Sequence, residues 1–145
     1  MSEQKKTSVE LLPGGEFIIT DSKEQKIKGR FSMYALDRFC DLKKVDSYLI
    51  LLEKITIGMR LKDYADLILI AFQDYHRKRP EDVKMEMSDV MDMVDELGGV
   101  SSTAFNDLIK HAIGRVADMK KIDEAMQKQL EGESKEEKDK KKEEQ

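Results

Sequence analysis

The stretch of sequence that decides the fold is residues 46–78, DSYLILLEKITIGMRLKDYADLILIAFQDYHRK. Its apolar residues recur at helical spacing, and several of them lie outside a single stripe. A surface helix needs only one apolar face, whereas a helix that is apolar on several sides is buried in a core or against a partner. Gly58 divides the stretch. We therefore predict one helix from a cap at Asp46 or Ser47 to about Thr56, and a central helix at residues 61–78.

An N-terminal β-hairpin is predicted before these helices. Residues 16–20 (EFIIT) and 26–31 (KIKGRF) are rich in β-favouring side chains and flank the polar loop 21–25. A hairpin of this size is marginal alone, so it must pack on helices. Ser32 is a good N-cap for a further helix at residues 33–42.

Two more helices are predicted after the central one. Ser88 is placed to cap a helix at residues 89–97, which Gly98 and Gly99 end. Ser101 or Ser102 then begins a fifth helix with a regular apolar stripe that decays after Met126. The predicted fold class is mostly α: a small bundle of about five helices with an N-terminal β-hairpin and disordered ends.

The predicted domain organisation is one domain with polar extensions at both ends. Residues 1–15 are predicted to be a flexible arm that ends in the turn signal Pro13-Gly14-Gly15. The helical domain with its hairpin covers residues 16–130. Residues 131–145 contain no apolar side chain to offset the loss of backbone entropy, so we predict a charged, disordered tail.

Composition narrows the classes of partner. The chain has 145 residues, 39% of them charged, and a net charge of −4. Nucleic-acid binding relies on clustered cations, and the basic run 76–79 is explained by the end of a helix, where cations offset the dipole. No apolar run reaches the roughly 18 residues of a membrane span. Cys40 has no disulfide partner, which is typical of a reducing compartment. Together, the charge, the apolar run lengths and the single cysteine predict a soluble cytoplasmic protein with neither nucleic acid nor a membrane as its partner.

The side chains that could carry chemistry do not form a recognisable site. His76 and His111 lack the metal-ligand spacing of zinc sites, and nothing pairs either of them with Cys40 as a catalytic base. Cys40 is better explained as a small buried hydrophobe, and His111 is expected on the solvent side of the fifth helix. We therefore expect no enzyme activity, no cofactor and no metal site.

The surplus of apolar surface instead indicates a protein that binds other protein. A cluster of methionines follows the central helix, and such side chains adapt to varied apolar partners, although filling gaps in the core is their more frequent role. The residues that we predict for partner binding are Leu51, Leu67, Ile70, Ala71, Met85, Met87, Met91 and Met93.

Four segments carry a resemblance to a known family. They are KGRFSMYALDRFCDL (28–42), LKDYADLILIAFQDY (61–75), MSDVMDMVDELGG (87–99) and FNDLIKHAIGRV (105–116). In the order of these segments and in their pattern of apolar and polar residues, the chain resembles the tail assembly chaperones of long-tailed bacteriophages and prophages. The resemblance covers about residues 16–120.

This resemblance implies a function in virion morphogenesis in the host cytoplasm. The chaperone would bind the tape measure protein, keep it soluble and promote polymerisation of the tail tube protein around it. The family commonly makes a longer product by ribosomal frameshifting, and the lysines at 140–142 suit an A-rich slippery stretch. A homo-oligomer is left open. The alternative is a small helix-turn-helix regulator in which residues 101–116 read DNA.

Overall fold

The computed structural model describes residues 7–79, 81 and 83–143, with residues 132–143 described by their backbone only. It confirms a mostly helical fold with a small antiparallel sheet at the N-terminus. The elements are β1 (Ser8–Leu11), a 3-10 turn (Pro13–Gly15), β2 (Glu16–Thr20), β3 (Lys26–Arg30), α1 (Met33–Lys43), α2 (Tyr48–Ile57), α3 (Leu61–Tyr75), α4 (Met87–Glu96) and α5 (Thr103–Glu143).

The sheet has three strands rather than the two of the predicted hairpin. β1 pairs antiparallel with β2, and β2 pairs antiparallel with β3, so β2 is central. The prediction of a flexible arm is therefore wrong for residues 8–15, whereas residues 1–6 lie outside the described part of the chain. The strand sequence SVEL does alternate between polar and apolar residues, but four residues are too few to establish a pattern, and pairing with β2 is what reveals the strand.

The turn between β1 and β2 requires glycine at Gly15. Its φ is +80°, and an added Cβ would lie 2.6 Å from the carbonyl oxygen of Phe31. The Phe31 N–H donates a hydrogen bond of 2.8 Å to the Gly15 carbonyl, so the two backbones run in close contact. This contact fixes the start of the sheet against the segment that leads into α1.

The core lies between the inner face of the sheet and the helices. The ring of Phe17 stacks on Phe31 with centroids 4.9 Å apart and contacts Phe72 of α3 at 5.6 Å. α3 packs against β3, α1 and α4, which makes it the central helix, as predicted. α2 packs against α5.

Serine side chains cap three of the helices as predicted. Ser32, Ser47 and Ser102 each accept a hydrogen bond of 3.1–3.2 Å from a backbone N–H in the first turn of α1, α2 and α5.

Two helix boundaries differ from the predictions. α4 begins at Met87, where Asp89 accepts a hydrogen bond of 2.8 Å from the Glu86 N–H, so Ser88 is not the cap. α3 ends at Tyr75, ahead of the basic run at residues 76–79. At the start of α4 a side chain satisfies a terminal backbone group, whereas at the end of α3 the backbone N–H groups of His76 and Arg77 donate to carbonyls of the last turn, and periodicity alone locates neither boundary.

α5 continues beyond the domain. The sequence predicts a disordered tail from residue 131, whereas the backbone is helical as far as Glu143. The residues in this segment are mostly Glu and Lys, which favour helix even without an apolar residue to pack it.

Candidate protein-binding surface

The candidate contact residues on α2 and α3 lie in the core. Their side chains are between 0% and 5% exposed, and they are Leu51, Leu67, Ile70 and Ala71. Because α3 has neighbours on several sides, its apolar side chains outside the main stripe are also covered. These four residues form no partner-binding face in this structure, which corrects the prediction.

The methionines of the candidate set lie at the edge of the core. Met93 is buried, whereas Met85, Met87 and Met91 are partly buried and pack against the core residues. This arrangement agrees with the alternative in which thioether side chains fill irregular gaps. Only part of three side chains is accessible to a partner here.

The outer side of α2 exposes a different set of apolar residues. Leu51 and Ile55 face α5 and are buried, while Leu49, Ile50 and Ile57 point away and are 47%, 38% and 85% exposed. Leu49, Ile50 and Ile57 lie within about 100° of one another around the helix, so they share one side. Residues at these positions on a surface helix are normally polar.

Hydrogen bonds hold α2 in place at both ends. The Tyr48 hydroxyl donates to the carboxylate of Asp37 on α1. Burial, and then this hydrogen bond, raise the pKa of Tyr48. At the other end, the Tyr64 hydroxyl donates to the Ile55 carbonyl at 3.2 Å and accepts from the Met59 N–H at 3.1 Å. The outer side of α2 is thus presented on a fixed helix.

The apolar stripe of α5 continues past the body of the protein. The stripe is buried as far as Met119, and then Ile122, Met126 and Leu130 follow at helical spacing with 48%, 58% and 66% of each side chain exposed. α2 packs against α5, and Asp123 of α5 is the smallest of the effects that raise the pKa of Tyr48. We call these three residues, together with Leu49, Ile50 and Ile57, the α2–α5 surface.

Groups that could support catalysis are apart or enclosed. Burial, and then the nearby Asp37 and Asp41, raise the pKa of Cys40 to about 11, so its thiol is a poor nucleophile near neutral pH. His111 does not face open solvent as predicted, because its Nε2 lies 2.9 Å from the Glu16 carbonyl oxygen. The described residues contain no group of His, Cys, Asp or Glu that could hold a metal ion.

Comparison with known proteins adds nothing to these observations. No protein-family model, curated protein or solved structure matches the chain.

Among the described residues, no helix combines the length and apolar character that a bilayer crossing requires. Burial of each large aliphatic side chain contributes about 1.5–3 kcal/mol, so the exposed residues of the α2–α5 surface would gain this free energy in an apolar contact.

The sequence pattern showed the excess of apolar side chains, but it did not show which of them are exposed. A helical projection of α2 gives two candidate faces, one around Leu51 and Ile55 and one around Ile50 and Ile57. The choice between them depends on where α5 lies, which is a non-local property. The apolar stripe of α5 did indicate exposed apolar surface, because it is longer than the rest of a domain of this size can cover.

Proposed function

We propose that this protein is a tail assembly chaperone of a long-tailed bacteriophage or prophage. In this function it binds the tape measure protein in the host cytoplasm, keeps it soluble and promotes assembly of the tail tube around it. The proposal joins the family resemblance of residues 16–120 to one structural observation. That observation is the exposed apolar outer side of α2, with Ile57 85% exposed.

The physical basis of the proposal is reversible apolar contact. A tape measure protein presents long helical segments with apolar stripes, which aggregate unless they are covered. The α2–α5 surface offers aliphatic and thioether side chains, which adapt to varied apolar sequences. A few such anchors give useful affinity and still permit release when the tube subunits assemble.

The alternative of DNA recognition by the fifth helix gains no support from the surface of α5. Between residues 103 and 121, its exposed charged side chains are Asp107, Lys110, Asp118 and Lys121. Their charges cancel, whereas phosphate contacts need a cationic face.

The test is co-expression of the tape measure protein with Ile50→Asp/Ile57→Asp. Loss of two apolar anchors should weaken binding at least about a hundredfold. Both sites are exposed, so the stability of the variant should stay within about 0.5 kcal/mol of the parent value. The measurements are recovery of tape measure protein in the soluble fraction, affinity co-purification, and the circular dichroism melting curve.

A control for added charge is Ser88→Asp, which places one new negative charge, against two in the double variant, at an exposed position on α4. It should bind the tape measure protein as the parent protein does. If the double variant folds and retains full binding, the α2–α5 surface is not the contact surface. If the parent protein itself does not bind, the proposed function is wrong.

A further inference from the structure

A basic pocket of about 460 Å³ lies where α3 ends, on elements other than α2 and α5. It is lined by Arg30, Asp74, Tyr75 and residues 76–79. Cations after the last turn of a helix offset its dipole, which accounts for part of the basic run. This effect does not account for Arg30, which comes from β3 and points into the same pocket.

A buried carboxylate pairs with two guanidinium groups in the pocket. Asp74 is 0% exposed, and its Oδ2 lies 3.1 Å from Arg30 Nε while its Oδ1 lies 3.3 Å from Arg77 Nε. The Ser32 hydroxyl also donates to Asp74 Oδ2 at 2.6 Å. The Arg30 Nε–H thus donates a hydrogen bond to the carboxylate, whereas Arg77 pairs with it by charge alone, because the buried Asp74 Oδ1 accepts no hydrogen bond from the described residues.

The outer ends of these arginines remain available to a ligand. Their side chains are 32% and 50% exposed. Within the described part of the chain, the terminal amino groups of Arg30 and Arg77 have no hydrogen-bond partner. A guanidinium held through Nε presents two parallel N–H groups, the arrangement that binds a carboxylate or phosphate in bidentate fashion.

Two tyrosine rings orient the surrounding cations. The guanidinium of Arg77 lies 5.1 Å from the centre of the Tyr34 ring, and Lys28 Nζ lies 5.9 Å from the centre of the Tyr75 ring. Each cation–π contact holds a charge beside the pocket. It also covers one face of each ring, so that face is closed to a stacking nucleotide base.

We propose that this pocket binds a carboxylate-rich segment of a partner polypeptide. Among the described residues that line the pocket, Asp74 is the sole carboxylate, against five cations at or beside the pocket, although the whole chain has a net charge of −4. A pocket of about 460 Å³ accommodates a few side chains rather than the length of a duplex. The acidic balance elsewhere opposes an extended phosphate backbone. The inference is independent of the proposed function.

The experiment measures fluorescence anisotropy of a fluorescein-labelled hexaglutamate peptide titrated with the full chain at low salt. Arg77→Gln/Arg79→Gln removes two exposed charges of the pocket and should weaken binding about five- to tenfold. The control Lys110→Gln/Lys121→Gln removes the same charge from exposed sites on α5 and should change binding less than about twofold.

Titration of a labelled hexathymidylate, a polyanion of similar negative charge, distinguishes a peptide ligand from nucleic acid. Weaker binding of hexathymidylate than of hexaglutamate, together with selective loss in the pocket variant, supports the proposal. Three outcomes overturn it: no binding of hexaglutamate by the parent protein, equal loss in both double variants, or tighter binding of hexathymidylate.

Discussion

Replacement of Gly29 by alanine tests how tightly the sheet packs on α3. An added Cβ at Gly29 would lie 2.3 Å from Cζ and 2.8 Å from both Cε atoms of Phe17. The ring has no free space to move into, because Phe17 is 0% exposed and lies between Phe31 and Phe72. The new methyl group must therefore displace either the ring or the strand.

The size of the effect follows from this geometry. The closest approach is about 1 Å short of an ordinary carbon–carbon contact, and overpacking of this kind costs about 1–3 kcal/mol. For a domain of this size, that corresponds to a fall of about 3–9 °C in melting temperature. The assay is urea unfolding at 25 °C, followed by circular dichroism at 222 nm.

A double-mutant cycle identifies the cause. Phe17→Leu destabilises the core by itself, but it removes the ring atoms nearest to Gly29, so Gly29→Ala should then cost less than about 0.5 kcal/mol. As a control, Gly114→Ala on α5 meets nothing within 4 Å and should stabilise the protein by about 0.5–1 kcal/mol. If Gly29→Ala lowers the free energy of unfolding equally with Phe and with Leu at position 17, the steric explanation is refuted.

Two further predictions concern ionisable groups. Lys43 Nζ lies 2.7 Å from Asp63, whose pKa it lowers through a hydrogen bond, and the same bond raises the pKa of Lys43. The Asp63 contribution to stability is therefore lost as pH falls below about 4, and the Lys43 contribution is lost as pH rises above about 10.4. The parent protein should exceed the Lys43→Met variant in free energy of unfolding by urea most strongly between these two pH limits. If this difference in free energy does not change with pH, the ion pair is contradicted. Because burial raises the pKa of Cys40 to about 11, its thiol should react with Ellman's reagent at pH 8 at least about a hundredfold more slowly in the folded chain than in guanidinium. Equal rates contradict the burial.

The parts of the fold that could be predicted depend on local signals. Ser32 and Ser47 precede helical runs and cap them as expected. The apolar residues of α3 outside its main stripe also identified it as the central helix. β1 was missed, because four mostly exposed residues become a strand only through pairing with β2. The pocket around Asp74 was missed for a related reason, since its two arginines come from β3 and from the end of α3.

Apolar content alone did not identify the candidate surface, and a comparison of α2 with α3 shows why. Both helices are apolar on more than one side. α3 has β3, α1 and α4 around it, so Leu67 and Ile70 are buried, whereas α2 packs mainly against α5 and leaves Ile50 and Ile57 exposed. Exposed apolar surface is thus set by the number of neighbours that a helix has. A chain that needed only a stable fold could carry polar residues at positions 50 and 57 without loss, and this is why α2 is the helix to test against a partner.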